Sequence, residues 1–165
     1  MTKTIIKPAK GAPAVGPYNH AVRVGDLLFC AGQIPLDPAT GQLVPGDIKD
    51  QTRRVLENVK CILDDQGLTF ANVVKSTVFL TNLADFAGMN EIYSQYFTAD
   101  FPARSTIQVA ALPRAEEVHD AFGGFRIAVR GRHAVRGGAH RCRLGDTGGP
   151  RPAGDPRGSD ARRAR

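Results

Sequence analysis

Downstream of Asp47 the chain passes twice from a helical stripe to a β-branched run, and this alternation limits its fold more than any other feature. Asp47 has an N-cap side chain; Ile48, Val55, Leu56, Val59, Ile62 and Leu63 recur at helical spacing, and Gly67 stops the helix. Residues 72–81 (NVVKSTVFLT) are β-branched and aromatic, the composition of a strand. Asn82 or Asp85 then caps a second helix with the stripe Phe86, Met89, Ile92, Tyr93, Tyr96 and Phe97, which Pro102 ends. Residues 104–112 (RSTIQVAAL) make another strand. Upstream, the short β-type runs 21–24 and 27–30 flank Gly25-Asp26, a hairpin signal, and the turn formers of 32–41 follow as a loop. Two strands joined through a helix need a crossover. The order therefore predicts an α+β domain, a mixed sheet with two helices packed on one face.

After Arg114 the pattern changes. Residues 115–124 have no clean period, and 125–130 (FRIAVR) suit a short strand. From Gly131 on, Arg, Gly, Ala, Pro and Asp dominate, with almost no large apolar residue. Such a segment buries too little surface to offset its ordering entropy. The expected organisation is a domain over 1–130, aberrant in 115–130, followed by a disordered tail over 131–165. The last Lys is Lys75, and every later basic residue is Arg. That vocabulary fits a natural extension, and it equally fits GC-rich DNA read in a shifted frame near codon 114.

The formal net charge of +6 lies wholly in that tail, where nine Arg face three Asp. The first 130 residues are balanced, so the body has no basic face for phosphates. Nucleic-acid binding is expected only non-specifically, through the tail. No apolar run reaches the roughly 18–20 residues of a membrane helix, and the first residues are too polar for a secretory signal. The three cysteines are odd in number and lack C-x-x-C spacing, which excludes a disulfide framework and points to a reducing, cytoplasmic setting. Cys30 falls in an apolar run and reads as a buried thiol. The four histidines are scattered, so no metal site is expected.

Two places carry chemistry of their own. Arg104 opens a strand directly after Phe101-Pro102-Ala103, in a stretch otherwise short of charge. An arginine there either pairs with a carboxylate of the protein or clamps the carboxylate of a substrate, which its planar fork suits. In Gly16-Pro17-Tyr18 the phenol either anchors a loop or stands beside a pocket.

Five blocks bear on these alternatives and raise the functional reading of Arg104: GPYNHA from Gly16, CAGQIPLD from Cys30, QTRRVLEN from Gln51, VFLT from Val78 and PARS from Pro102. Together they closely resemble the reactive-intermediate deaminase family, RidA or YjgF, over residues 3–114. The resemblance implies a chorismate-mutase-like fold and a homotrimer whose sheets form a central barrel, with clefts between subunits. It implies hydrolysis of 2-imino acids to 2-keto acids and ammonia, without metal or organic cofactor. It assigns Arg104 to the substrate carboxylate, Tyr18 to the cleft wall and Gly32 to backbone contacts near the imine; Asn90 and Thr106 fall at cleft or near-cleft positions.

The sequence departs from the family at its end. Relatives close the sheet with a strand of the form Val-Glu-Ile-Glu-Ala, whose first Glu positions water. Counting from Arg104, that Glu falls at or near His119, with Glu116, Glu117 and Asp120 as the nearby carboxylates. The expectation is a weakened deaminase with one sheet strand left unpaired at an edge. A non-catalytic carboxylate-binding trimer and an RNA-cleaving protein are the alternative functions.

Overall fold

The computed structural model describes residues 2–11, 14, 16–112 and 123–131. The two helices form where apolar periodicity and caps coincide. Asp47 accepts hydrogen bonds from the backbone N–H groups of Lys49 and Asp50 and starts α1 (Ile48–Asp65). At its other end Gly67 turns the chain away with φ +65°, a left-handed conformation that suits glycine. A 3-10 turn, Leu83–Asp85, leads into α2 (Phe86–Tyr96). The Asn82 side chain caps that turn by accepting from Ala84 N, whereas Asp85 makes no side-chain cap.

The strands are β1 (Lys3–Ile6), β2 (Ala21–Val24), β3 (Leu27–Cys30), β4 (Val73–Leu80), β5 (Ala103–Gln108) and β6 (Gly123–Arg130). They form one sheet in the order β1-β2-β3-β6-β4-β5. Only β4 and β5, joined through α2, run parallel; every other pair is antiparallel. The sheet is therefore mixed and the class α+β. Alternate residues bury one face. Leu28, Cys30, Ser76, Val78, Leu80, Phe125, Ile127 and Val129 join Val55, Leu56, Val59 and Ile62 of α1 and Met89, Ile92 and Tyr93 of α2. Both helices thus cover the same side. The other side is open and partly apolar, with Leu27 40%, Phe29 49% and Ile107 46% exposed.

The structure corrects the sequence reading at four points. β1 was not expected: its four residues carry little signal and exist as a strand only by pairing with β2. The second helix ends at Tyr96, well before Pro102, because Phe97 turns extended and buries its ring against Tyr93 and Phe70. β5 stops at Gln108 rather than 112. The expected unpaired edge is absent, because β6 is eight residues long and lies between β3 and β4. Phe125, Ile127 and Val129 supply the alternating apolar face that the sheet centre requires. The readings made for 115–122 and for the tail beyond Gly131 lie outside the described residues.

Candidate functional site

β5 is an edge strand, and its pairing with β4 sets where Arg104 points. Arg104 lies opposite Ser76, a fully buried residue of the helix-covered face, so its side chain rises toward α2. Phe86, Asn90 and Tyr93 are spaced four and three apart along α2, which puts them on one side of the helix. Arg104 meets all three. Its Nη1 donates to Asn90 Oδ1 at 2.7 Å. The guanidinium carbon lies 4.7 Å from the centre of the Tyr93 ring and 5.6 Å from that of Phe86, distances of favourable cation–π contact. Among the described residues no carboxylate pairs with it.

Beside this group an open cavity of about 480 Å³ is lined by Asn90, Tyr93, Ser94, Phe101, Pro102 and Arg104. One wall is apolar, and the guanidinium retains N–H donors beyond the one given to Asn90. That combination suits a small carboxylate with a short hydrocarbon chain. Among the described lining residues there is no Asp, Glu or His. Among the described residues no group of three or more His, Cys, Asp or Glu side chains is placed to hold a metal.

Tyr93 is the deepest part of the site. Its hydroxyl and that of Ser76 share a buried hydrogen bond of 2.9 Å. Burial raises its phenol above the ordinary tyrosine range, against smaller opposing effects of Ser76 and Arg104. The ring is therefore neutral at physiological pH. Burial also pushes the Cys30 thiol up to about 12, which removes it as a nucleophile near neutrality.

The remaining sequence candidates lie apart. Thr106 is on the same face of β5, about 7 Å further along the strand, opposite Val78 and outside the cavity lining. Gly32 follows β3, and β6 and β4 stand between it and β5, about 14 Å by strand spacing. Tyr18 is 46% exposed on the chain leading into β2. One copy of the chain thus joins Arg104 with Asn90 and leaves Tyr18 and Gly32 elsewhere. The partnership of Arg104 with Tyr93 was not read from the sequence, where Tyr93 counted only as part of an apolar stripe. The signal was the three-residue spacing from Asn90.

A six-stranded mixed sheet in this order, with two helices on one side, is the fold of the YjgF-type proteins. The solved structure of Escherichia coli TdcF with bound serine matches it with a TM-score of 0.70 and 41% identity, over 77% of this chain and 98% of that one. The family described as Endoribonuclease L-PSP matches residues 9–119, and the chain belongs to this family, also known as RidA. A RutC family protein of Pyrococcus abyssi is 51% identical over 69% of this chain and 90% of its own length. The 2-iminobutanoate/2-iminopropanoate deaminase of Capra hircus is 45% identical over 72% of this chain and 86% of its own.

Proposed function

We propose that this chain hydrolyses reactive 2-imino acids, 2-iminobutanoate and 2-iminopropanoate, to 2-keto acids and ammonia. The observation that carries the reading is Arg104: a guanidinium held by Asn90 over two rings, beside a cavity, with no carboxylate of the described protein to neutralise it. The goat relative bears the name of this activity, and the TdcF structure holds serine, which carries a carboxylate.

The chemistry asks little of the protein. The carbon of a protonated imine is already electrophilic. Water adds to it, forming a C–O bond as the C=N π pair moves to nitrogen. A proton passes from the added oxygen to nitrogen, ammonia departs, and the second oxygen-bound proton leaves with it as ammonium. Holding the carboxylate fixes the imine carbon in one place, so that proximity supplies much of the rate.

In this reading Tyr18 and Gly32 act at the Arg104 cavity of a neighbouring copy, with Thr106 near its edge. The assembly is a homotrimer whose subunits meet through the open sheet face. The exposed Leu27, Phe29 and Ile107 support this, because a soluble domain gains by covering such a face. The buried cysteines Cys30 and Cys61 accord with work in the reducing cytoplasm.

The absence of an acid or base among the described lining residues favours a second reading, a trimer that binds small carboxylates without turning them over. One assay separates the two. Keto-acid formation from freshly generated 2-iminobutanoate is measured beside titration with 2-oxobutanoate. Binding with rate acceleration supports the deaminase, binding without it supports the second reading, and absence of both removes the site.

A further inference from the structure

We infer that Tyr93 is a positioning residue, whose buried ring sets the plane of the Arg104 guanidinium while Asn90 sets its rotation within that plane. The inference rests on the reading of Arg104 as the carboxylate clamp.

Three contacts hold the ring itself. Ser76 bonds its hydroxyl at 2.9 Å. Phe97 lies nearly parallel to it, with centroids 4.2 Å apart and planes 17° apart, and Phe125 lies at 6.0 Å and 17°. Tyr93 is 5% exposed, so the phenol is anchored at both its face and its tip. Arg104 rests over this fixed surface at 4.7 Å, with Phe86 as a second and more exposed ring at 5.6 Å. An arginine side chain loses considerable rotamer entropy when it binds a ligand. Stacking on a fixed ring and bonding to Asn90 remove that freedom before the ligand arrives, which lowers the cost of binding. Ser76 and Arg104 face each other across β4 and β5, so one strand register places both the anchor of the ring and the group it carries.

The test uses the full chain and the variants Tyr93→Phe, Tyr93→Leu, Phe86→Leu and Arg104→Ala. With 2-iminobutanoate, Tyr93→Leu is expected to raise KM about 2- to 30-fold with little change in kcat, because a clamp holds substrate and transition state alike. Tyr93→Phe keeps the ring and is expected to stay within about 3-fold of the parent. A purely structural role predicts instead a lower kcat from a smaller folded fraction at unchanged KM, and that result overturns the inference. Should Tyr93→Leu fail to fold, Phe86→Leu, at a partly exposed position, is expected to raise KM by a smaller factor in the same direction. An unchanged KM there counts against ring positioning.

A ligand-free measurement keeps the inference distinct from the proposed activity. The Tm losses of Arg104→Ala and Phe86→Leu, and of Arg104→Ala and Tyr93→Leu, are compared with those of the double variants. Losses smaller than the sum of the singles show that the rings hold the arginine even in a chain with no deaminase activity. Strict additivity in both pairs overturns it.

Discussion

The Arg104 corner and the Gly32 loop are built to different degrees of completeness. At the corner, β5 and α2 bring the guanidinium, its hydrogen-bond acceptor and two rings together within one chain. At the loop, all the fastening is behind the backbone. Asn58 of α1 donates to the carbonyls of Ile34 and Leu36, and Gln33 exchanges both backbone bonds with Phe125. A Cβ at Gly32 would meet nothing within 4 Å. The corner gathers its partners within one chain, and the loop is a fastened surface with no described residue opposite Gly32. The difference teaches that rigidity and completeness are separate properties: among the described residues the loop is fastened from one side only.

Phe125 belongs to both regions, by its backbone to Gln33 and by its ring to Tyr93, and its loss is the largest way to break the comparison. Phe125→Ala is expected to cost about 3–5 kcal/mol of stability, as truncation of a buried aromatic does. Chemical denaturation measures it, and a loss below 1 kcal/mol means that β6 does not pack as described. Arg104→Ala addresses the corner alone. It is expected to weaken 2-oxobutanoate binding by about 2–5 kcal/mol, roughly 30- to several-thousand-fold. The melting temperature should fall only modestly, since the hydrogen bond to Asn90 and two ring contacts are lost but no ion pair of the described fold. Wild-type affinity in this variant dissolves the site.

Asn58→Ala addresses the loop alone. One buried and one part-buried carbonyl lose their donor, for an expected cost of about 1–3 kcal/mol. The loss should be read more strongly in hydrogen exchange at residues 33–36 than at Arg104. Equal effects at both places show that the two regions are not independent.

The smallest effect is set by pH. Burial holds the folded-state thiol of Cys30 up at about 12 against an ordinary value of 9.0, and Tyr93 is also raised. A raised acid is stabilising below its unfolded value, and the stability is lost as pH climbs toward the folded one. Stability is therefore expected to be insensitive to these groups below about pH 9 and to fall from there toward pH 12. Cys30→Ala should flatten the first part of that decline, measured relative to its own stability at pH 7.

What the sequence disclosed follows from which interactions are local. Asp47, the 48–63 stripe and Gly67 define α1 because cap, period and stop are all written within one segment. Residues 73–80 are legible as a strand for the same reason. β1 was not legible, because Lys3–Ile6 acquires its structure from β2, a distant segment. The full extent and central place of β6 were hidden likewise, since the pairings of Gly123 and Gly124 with Leu80 and Phe79 leave no local mark. Arg104 stood out by its isolation and Asn90 by its family position, whereas the platform role of Tyr93 depends on the β4–β5 register.

The sheet order has a temporal consequence. β3 and β4 leave the ribosome long before β6, yet β6 is the strand that joins them. At about 5–20 residues per second, the stretch from Leu80 to Gly123 takes roughly 2–9 s to synthesise. Throughout that interval the nascent chain carries two unsatisfied strand edges that are neighbours of a missing third. Both run antiparallel to β6 and so parallel to each other, and pairing with each other would put Leu28 and Val78 out of the register that β6 later imposes. The period before closure is thus when this chain is most exposed to wrong partners, including another nascent copy of itself.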